Sequence, residues 1–364
     1  MTDFKEINNP YTLQFSFVPP KLIERKLITS EIIENYIRNV PTYRGMFITG
    51  VRGSGKTVIL GDIRNKIEAL DDWITIDLNP ESNLLDSLAR GLYLIPEIKA
   101  LFVKAKLDFS ILGIGMQIEN AELVASNEED ALKLMLKTLK LAKKKVFVTI
   151  DEVTYSKDVA RFSHALSSYS NADYDIYVLM TGLNENIKNI KNKKSLTFLY
   201  RAKVKELDML NITAIREDYQ KTLGIDRDWA EALAYETRGY SLAFQAVGYH
   251  YWNEICRHES YENIDREAID KEIDITLSEL AYDKIWEEFS ASDIKVIEAM
   301  LEVKEQSESD YVKVEDIRNK ANMTSDTFTK YRSRLLDSGV VDGTQYGYLR
   351  FKLPRFEQYI HTIR

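Results

Sequence analysis

Lys56 and Thr57 close the stretch "GMFITGVRGSGKTVIL", Gly45 to Leu60, in which Gly50, Gly53, Ser54 and Gly55 stand between two apolar runs. The spacing from Gly50 to Thr57 is G-x-x-x-x-G-K-[ST], the pattern of a phosphate-binding loop. Glycines let the backbone turn its N–H groups inward around phosphate oxygens, and the following helix presents its positive N-terminal end. Lys56 is then expected to reach the β- and γ-phosphates of a nucleotide and Thr57 to put its hydroxyl on Mg²⁺. Val58 joins these as a nucleotide-contacting position. A second signal is the acidic pair Asp151 and Glu152, which follows the apolar segment "VFVTI". A carboxylate emerging from the end of a strand can hold the Mg²⁺ shell, and the one beside it can orient or deprotonate an attacking water. Thr181 closes the segment "IYVLMTG", where a polar side chain at a neighbouring strand tip would sense a γ-phosphate.

Such residues need strands that end together. "MFITG" reads as a short buried strand, and Ile59, Leu60, Ile63, Ile67 and Leu70 recur at helical spacing behind the loop. Four further apolar segments read as strands: "WITIDL" from Trp73, "VFVTID" from Val146, "IYVLMTG" from Ile176 and "VKELDML" from Val204. Helical patterns lie between them, which predicts an α/β fold with a five-stranded parallel sheet and crossover helices. Between the second and third strands, "LDFSILGIGMQIE" alternates around Gly113 and Gly115, predicting an inserted β-hairpin near 107–119.

The 364 residues carry 45% hydrophobic side chains and a net charge of −8, enough for two or three domains with real cores and too acidic for a surface devoted to nucleic acid. The single cysteine, Cys256, cannot form an internal disulfide. No apolar run approaches the ~20 residues of a membrane span, and the N-terminal residues lack the build of a signal peptide, so a cytoplasmic protein without membrane contact is expected. His164, His250, His258 and His361 have no metal-ligand spacing.

The C-terminal part changes character. "SASDIKVIEAML" reads as a capped helix, and "VKVEDIRNKANM", "TSDTFTKYRSRLLDSGVV" and "DGTQYGYLRFKLP" continue as helix, helix and β-wing. Phe328, Tyr331 and Leu335 make an apolar stripe that predicts Lys330 and Arg334 on the outer face. From Arg318 to Arg355 there are eight basic residues against three acidic ones, which suits contact with duplex DNA through Lys330, Arg334, Arg350 and Lys352.

The order of phosphate loop, "DE" after a hydrophobic strand, "MTG", "FLYRA" and "ETRGYSLAFQ" resembles the AAA+/STAND group of prokaryotic ATPases, related to archaeal origin-recognition ATPases with a C-terminal winged helix. The resemblance covers the chain from about Asn9 onward. It implies ATP/ADP and Mg²⁺ as ligands, an N-terminal segment over the adenine with Arg25 in a "G-R-[DE]"-like position, and a lid contact from Gly239 and Ser241. The box departs from the family pattern, with Glu24 and Lys26 flanking Arg25, and Ser241 stands where the family has proline. Arg201, just before the last core strand, stands where the family places a finger that reaches a neighbour's site in a homo-oligomer. The expected domains are an ATPase core over 1–210, a helical lid and linker over 211–285, and a winged helix over 286–364. The function implied is a regulatory, slowly hydrolysing ATP switch; a DNA-handling ATPase, as an initiator or mobile-element helper, and a non-hydrolysing ATP-binding adaptor are the alternatives.

Overall fold

Five short runs of β-branched and apolar residues become strands because they can be buried on both faces at once, as the strands of a parallel sheet must be. The computed structural model describes residues 8–14, 19–110, 113, 123–258, 264–307 and 309–364. They form two units: a core unit of residues 25–49 and 56–206, and a C-terminal unit of residues 207–364 with which 50–55 and the described part of 1–24 group.

The core unit runs α1 (Lys26–Ile37), β1 (Gly45–Thr49), α2 (Lys56–Glu68), β2 (Trp73–Leu78), α3 (Leu84–Leu94), α4 (Pro96–Lys104), β3 (Leu107–Asp108), β4 (Leu123–Val124), α5 (Glu128–Leu141), β5 (Lys145–Ile150), α6 (Lys157–Asn171), β6 (Ile176–Gly182), α7 (Asn184–Lys191), α8 (Thr197–Arg201) and β7 (Lys203–Glu206). Its sheet has the order β2-β5-β6-β1-β7, and every pairing in it is parallel. β6 therefore lies between β1 and β5, with Thr181 opposite Ile48 and Met180 opposite Ile150. That register brings the carboxyl ends of β1, β6 and β5 side by side, the edge where open α/β sheets gather ligands. β1, β6 and five of the six residues of β5 are wholly buried.

One expectation differs from the structure, and another falls largely outside the described residues. The last core strand ends at Glu206 instead of running to Leu210. The Leu210 N–H goes to the Gly239 carbonyl at 2.7 Å, so this segment spends its backbone bonds outside the sheet. Most of the expected hairpin (111–112 and 114–119) lies outside the described residues. Its described start, β3, pairs parallel with β4, Leu107 opposite Leu123 and Asp108 opposite Val124.

The C-terminal unit runs α9 (Ile212–Leu223), α10 (Arg227–Glu236), α11 (Ser241–His258), α12 (Arg266–Leu277), a π-helical turn at Ser278–Tyr282, α13 (Asp283–Glu287), α14 (Ala291–Glu305), β8 (Val312–Lys313), α15 (Val314–Lys320), α16 (Ser325–Ser338), β9 (Val341–Asp342), β10 (Tyr348–Phe351) and α17 (Phe356–Ile363). The last three strands form an antiparallel sheet in the order β8-β10-β9. One apolar cluster passes from Tyr219 and Phe244 through Tyr240 and Tyr282 to Phe356. Ser290 and Asp293 cap α14 reciprocally, the expected capped start. Among the described residues no helix is long and apolar enough to cross a membrane.

Candidate functional site

In the core unit the chemistry gathers on Asp151, the first residue beyond β5. The Thr57 hydroxyl, in the first turn of α2, donates to Asp151 Oδ2 at 2.6 Å. The Thr181 hydroxyl, fully buried at the end of β6, donates to Oδ1. Thr181 Oγ1 also accepts the Glu152 N–H at 3.0 Å, and the Thr181 carbonyl accepts the Val153 N–H at 2.8 Å. These bonds hold Glu152 at φ +53°, a left-handed conformation that costs a side-chain-bearing residue ~1 kcal/mol. The turn exposes the Glu152 side chain while Asp151 is half-buried. Lys56, at the start of α2, is 7% exposed, and Val58, two residues on, is half-buried. Among the described residues no three His, Cys, Asp or Glu side chains converge on a metal position. Mg²⁺ needs no such cage: one or two carboxylates with a hydroxyl, waters and substrate phosphates suffice, and Thr57 with Asp151 would fit the protein part of such a set.

Thr181 thus lies where its strand position predicts, but its hydroxyl is committed to the acidic pair and does not point free toward a ligand. Sequence alone shows a polar residue at a strand tip; the strand order, with β6 next to β5, decides what it meets.

In the C-terminal unit the loop of Gly50, Gly53, Ser54 and Gly55 is gripped by the start of α11. The Tyr240 hydroxyl donates to the Arg52 carbonyl at 2.6 Å, the Leu242 N–H to the Gly53 carbonyl at 3.1 Å, and the Ser241 hydroxyl to the Ser54 carbonyl at 2.9 Å. Three successive loop carbonyls are thereby satisfied. Gly53 has φ +73°, and a Cβ there would lie 2.1 Å from the Tyr240 hydroxyl oxygen, so no other residue fits. Gly239 is held by a different demand: a Cβ on it would meet the Leu210 carbonyl at 2.5 Å. Its role in the structure is to let two backbone segments cross. Tyr240, between Gly239 and Ser241, is a contact to the loop that the sequence reading did not assign; burial pushes its hydroxyl well above the usual tyrosine range and keeps it a donor.

The N-terminal segment lies on the same helices. Asn9 donates to the Tyr249 carbonyl and to Asn253, the Tyr11 hydroxyl donates to Asp218 at 2.6 Å, and Gln245 donates to the Lys21 carbonyl at 2.7 Å. Arg25 precedes α1 in the core unit, half-buried, its carbonyl accepting from Thr29. Arg201 is exposed at the end of α8. Arg238 donates to the Phe351 carbonyl at 2.7 Å, which ties the start of the Gly239 turn to β10.

Of the four basic residues expected on an outer face, Lys330 is exposed beside the Tyr331 ring and Lys352 is half-buried. Arg334, its side chain 40% exposed, has a partner that the sequence did not predict. It reaches Asp293 at 3.2 Å, a carboxylate with no exposed surface that also takes the Ser290 N–H and hydroxyl. Helical spacing fixes a residue's face on its own helix but not what another helix puts there, and a buried carboxylate demands a cation. Arg350 is likewise paired with Asp342 at 2.8 Å and stacked 5.0 Å from the Tyr311 ring.

Residues 279–360 match a family described as a domain of unknown function, DUF8462. Among solved structures, the Walker-type ATPase paby2304 of Pyrococcus abyssi is 14% identical with a TM-score of 0.65 over 96% of this chain and 99% of that one. The ORC2 protein of Aeropyrum pernix, in its ADPNP–ADP complexes, is 12% identical with a TM-score of 0.60 over 96% of each chain. The fold is shared with these ATPases. Comparison with curated proteins returns no match to this chain.

Proposed function

We propose that the chain is a Mg²⁺-dependent regulatory ATPase of the AAA+/STAND type, in which the nucleotide state of the core positions a C-terminal winged helix. The observation that carries this is the pair of threonine hydroxyls on Asp151 at the carboxyl edge of the sheet, with Thr57 belonging to the G-x-x-x-x-G-K-T sequence. Lys56 and the loop N–H groups bind the β- and γ-phosphates. Thr57 and Asp151 hold Mg²⁺, which supplies charge neutralisation on the phosphates. Glu152, exposed beside Asp151 and fixed by its backbone, orients the attacking water. The ORC2 neighbour was solved with ADPNP and ADP, which agrees with an adenine nucleotide as ligand.

The switch rests on α11. Tyr240, Ser241 and Leu242 hold the carbonyls of the loop, so a phosphate that reorients the loop acts directly on the helix that carries them. Arg238 and Tyr282, through the carbonyls of Phe351 and Pro354, pass that change to the elements from α14 onward, which we read as the winged helix of a third domain (286–364) after the core (1–210) and lid (211–285). A second reading, a DNA-handling ATPase assembling on duplex DNA as a homo-oligomer, is supported by the exposed Lys330 on α16 and by the exposed Arg201, which would complete a neighbour's site.

The test is nucleotide binding and phosphate release by the full chain. Lys56→Ala should lose ATP binding, and Glu152→Gln should bind Mg²⁺–ATP as tightly as the unaltered protein and release phosphate at least 100-fold more slowly. ATP binding undiminished in Lys56→Ala would overturn the proposal. Duplex DNA affinity in ATP and in ADP separates the second reading from the first.

A further inference from the structure

In a chain whose acids outnumber its bases by eight, the nineteen residues from Ile187 to Lys205 hold seven basic side chains and no acidic one. The structure explains which of these must face water. Ile187 and Ile190 anchor α7, Leu196 and Leu199 anchor α8, and all four are buried. The periodicity of those anchors leaves Lys193, Lys194, Arg201 and Lys203 exposed.

Two contacts tie parts of this segment together. Tyr155, in the turn before α6, has its ring 5.0 Å from Lys193 Nζ. Lys191 donates to the Ala202 carbonyl at 2.6 Å, which brings the end of α7 against the start of β7. Burial and the nearby charge of Lys203 both lower the Lys191 pKa, as expected where positive charges crowd without acids between them. Lys194, Arg201 and Lys203 make no ion pair among the described residues. Two tyrosines stand with them, Tyr155 at 47% and Tyr200 at 50% exposure, although tyrosine ordinarily hides most of its ring. Lysines on an edge strand can serve to repel other strands, and that explains Lys203 on β7, whereas Lys205 is paired with Glu31. It does not explain Lys193, Lys194 or the two exposed tyrosines.

We propose that α7, α8 and the start of β7, with Tyr155, form a binding surface for single-stranded nucleic acid. Phosphates lie along the row of lysines, and unpaired bases stack on the tyrosine rings. A duplex would satisfy the lysines but not the tyrosines, because its base faces are already stacked; this points to a single strand. The surface belongs to the core unit, and the elements discussed for duplex DNA belong to the C-terminal unit.

The test is fluorescence anisotropy with the full chain, a labelled 20-nucleotide mixed-sequence single strand, and the duplex of the same sequence, at several salt concentrations. The single strand should bind at least tenfold more tightly than the duplex. Replacing Lys193, Lys194 and Lys203 together by alanine should remove three phosphate contacts and lower the slope of log K against log salt by about two, at about 0.7 per contact on single strands. Restoring arginine at the three positions should recover the slope. Replacing Tyr155 by alanine, and separately Tyr200, should each weaken binding roughly tenfold with the slope unchanged. Equal thermal melting of the variants shows that the fold is intact. No binding by the unaltered protein, preference for the duplex, or single-strand binding that survives the triple substitution would each overturn the proposal. So would loss of self-association in the triple variant without single-strand binding in the parent, which would assign the surface to contact between copies of the chain.

Discussion

Thr57 and Thr181 share one carboxylate: the first donates to Oδ2 of Asp151 at 2.6 Å and the second to Oδ1. The two threonines come from α2 and β6, which flank Asp151 only because β6 is the strand paired with β5. Each has a distinct consequence when removed, since Thr57 can exchange its bond for a metal and Thr181, fully buried, cannot.

Thr181→Val keeps the shape of the side chain and removes both the bond to Asp151 and the acceptor for the Glu152 N–H. Mg²⁺–ATP affinity should change less than threefold, while phosphate release should fall about 10- to 100-fold because Glu152 loses its fixed backbone. Thr181→Ser should retain the rate. Single-turnover phosphate release distinguishes these, and a valine variant with the parent rate would remove Thr181 from the mechanism.

Tyr240→Phe deletes one of the three bonds that residues 240–242, at the entry to α11, make to the loop. The Arg52 carbonyl loses its donor, so stability should drop by about 1 kcal/mol in urea unfolding. Amide exchange at residues 50–55 should accelerate about fivefold. Unchanged exchange there would mean that α11 does not restrain the loop.

Arg334→Ala leaves the buried Asp293 with its Ser290 bonds but without a cation. Because the arginine is partly exposed, a loss of about 1–2 kcal/mol is expected, against under 0.5 kcal/mol for Lys330→Ala. If duplex DNA binds to α16, Lys330→Ala alone should lower the salt slope by about 0.9, the value for one phosphate. Denaturant midpoints and DNA titrations measure the two effects separately.

His250 is half-buried beside Thr276, its ring nitrogen 2.8 Å from the hydroxyl. Burial lowers its pKa below the usual value, with Glu272 and Glu254 opposing only in part. A histidine whose pKa is depressed in the fold contributes stability that is complete above its unfolded value of about 6.5 and is lost as pH falls through the folded value. His250→Gln should therefore be less stable than the parent at pH 7.5, and the gap should narrow at pH 5.5. A gap that widens on acidification would reverse the assignment.

What the sequence made legible is local. The strand before Gly50, the helix after Lys56 and the acidic pair beyond Ile150 are set by neighbours in the chain, and β1, α2 and β5 form where periodicity predicts. The fates of Thr181 and Arg334 depend on residues 30 and 41 positions away and could not be read from spacing. Tyr240 escaped notice for another reason: an aromatic residue next to a glycine reads as core, which it is, and only the position of its hydroxyl reveals the bond to Arg52. The parallel pairing of Leu107 with Leu123 was hidden because alternation carries no information on strand direction.

The left-handed backbone at Glu152 sets selection for durability against selection for turnover. Glycine would adopt φ +53° at no steric cost, so Glu152→Gly should relieve about 1 kcal/mol of strain while deleting the side chain that the strained turn presents. A search for heat-resistant variants by folding alone would therefore favour change at this position, whereas a population kept for ATP turnover should hold it fixed.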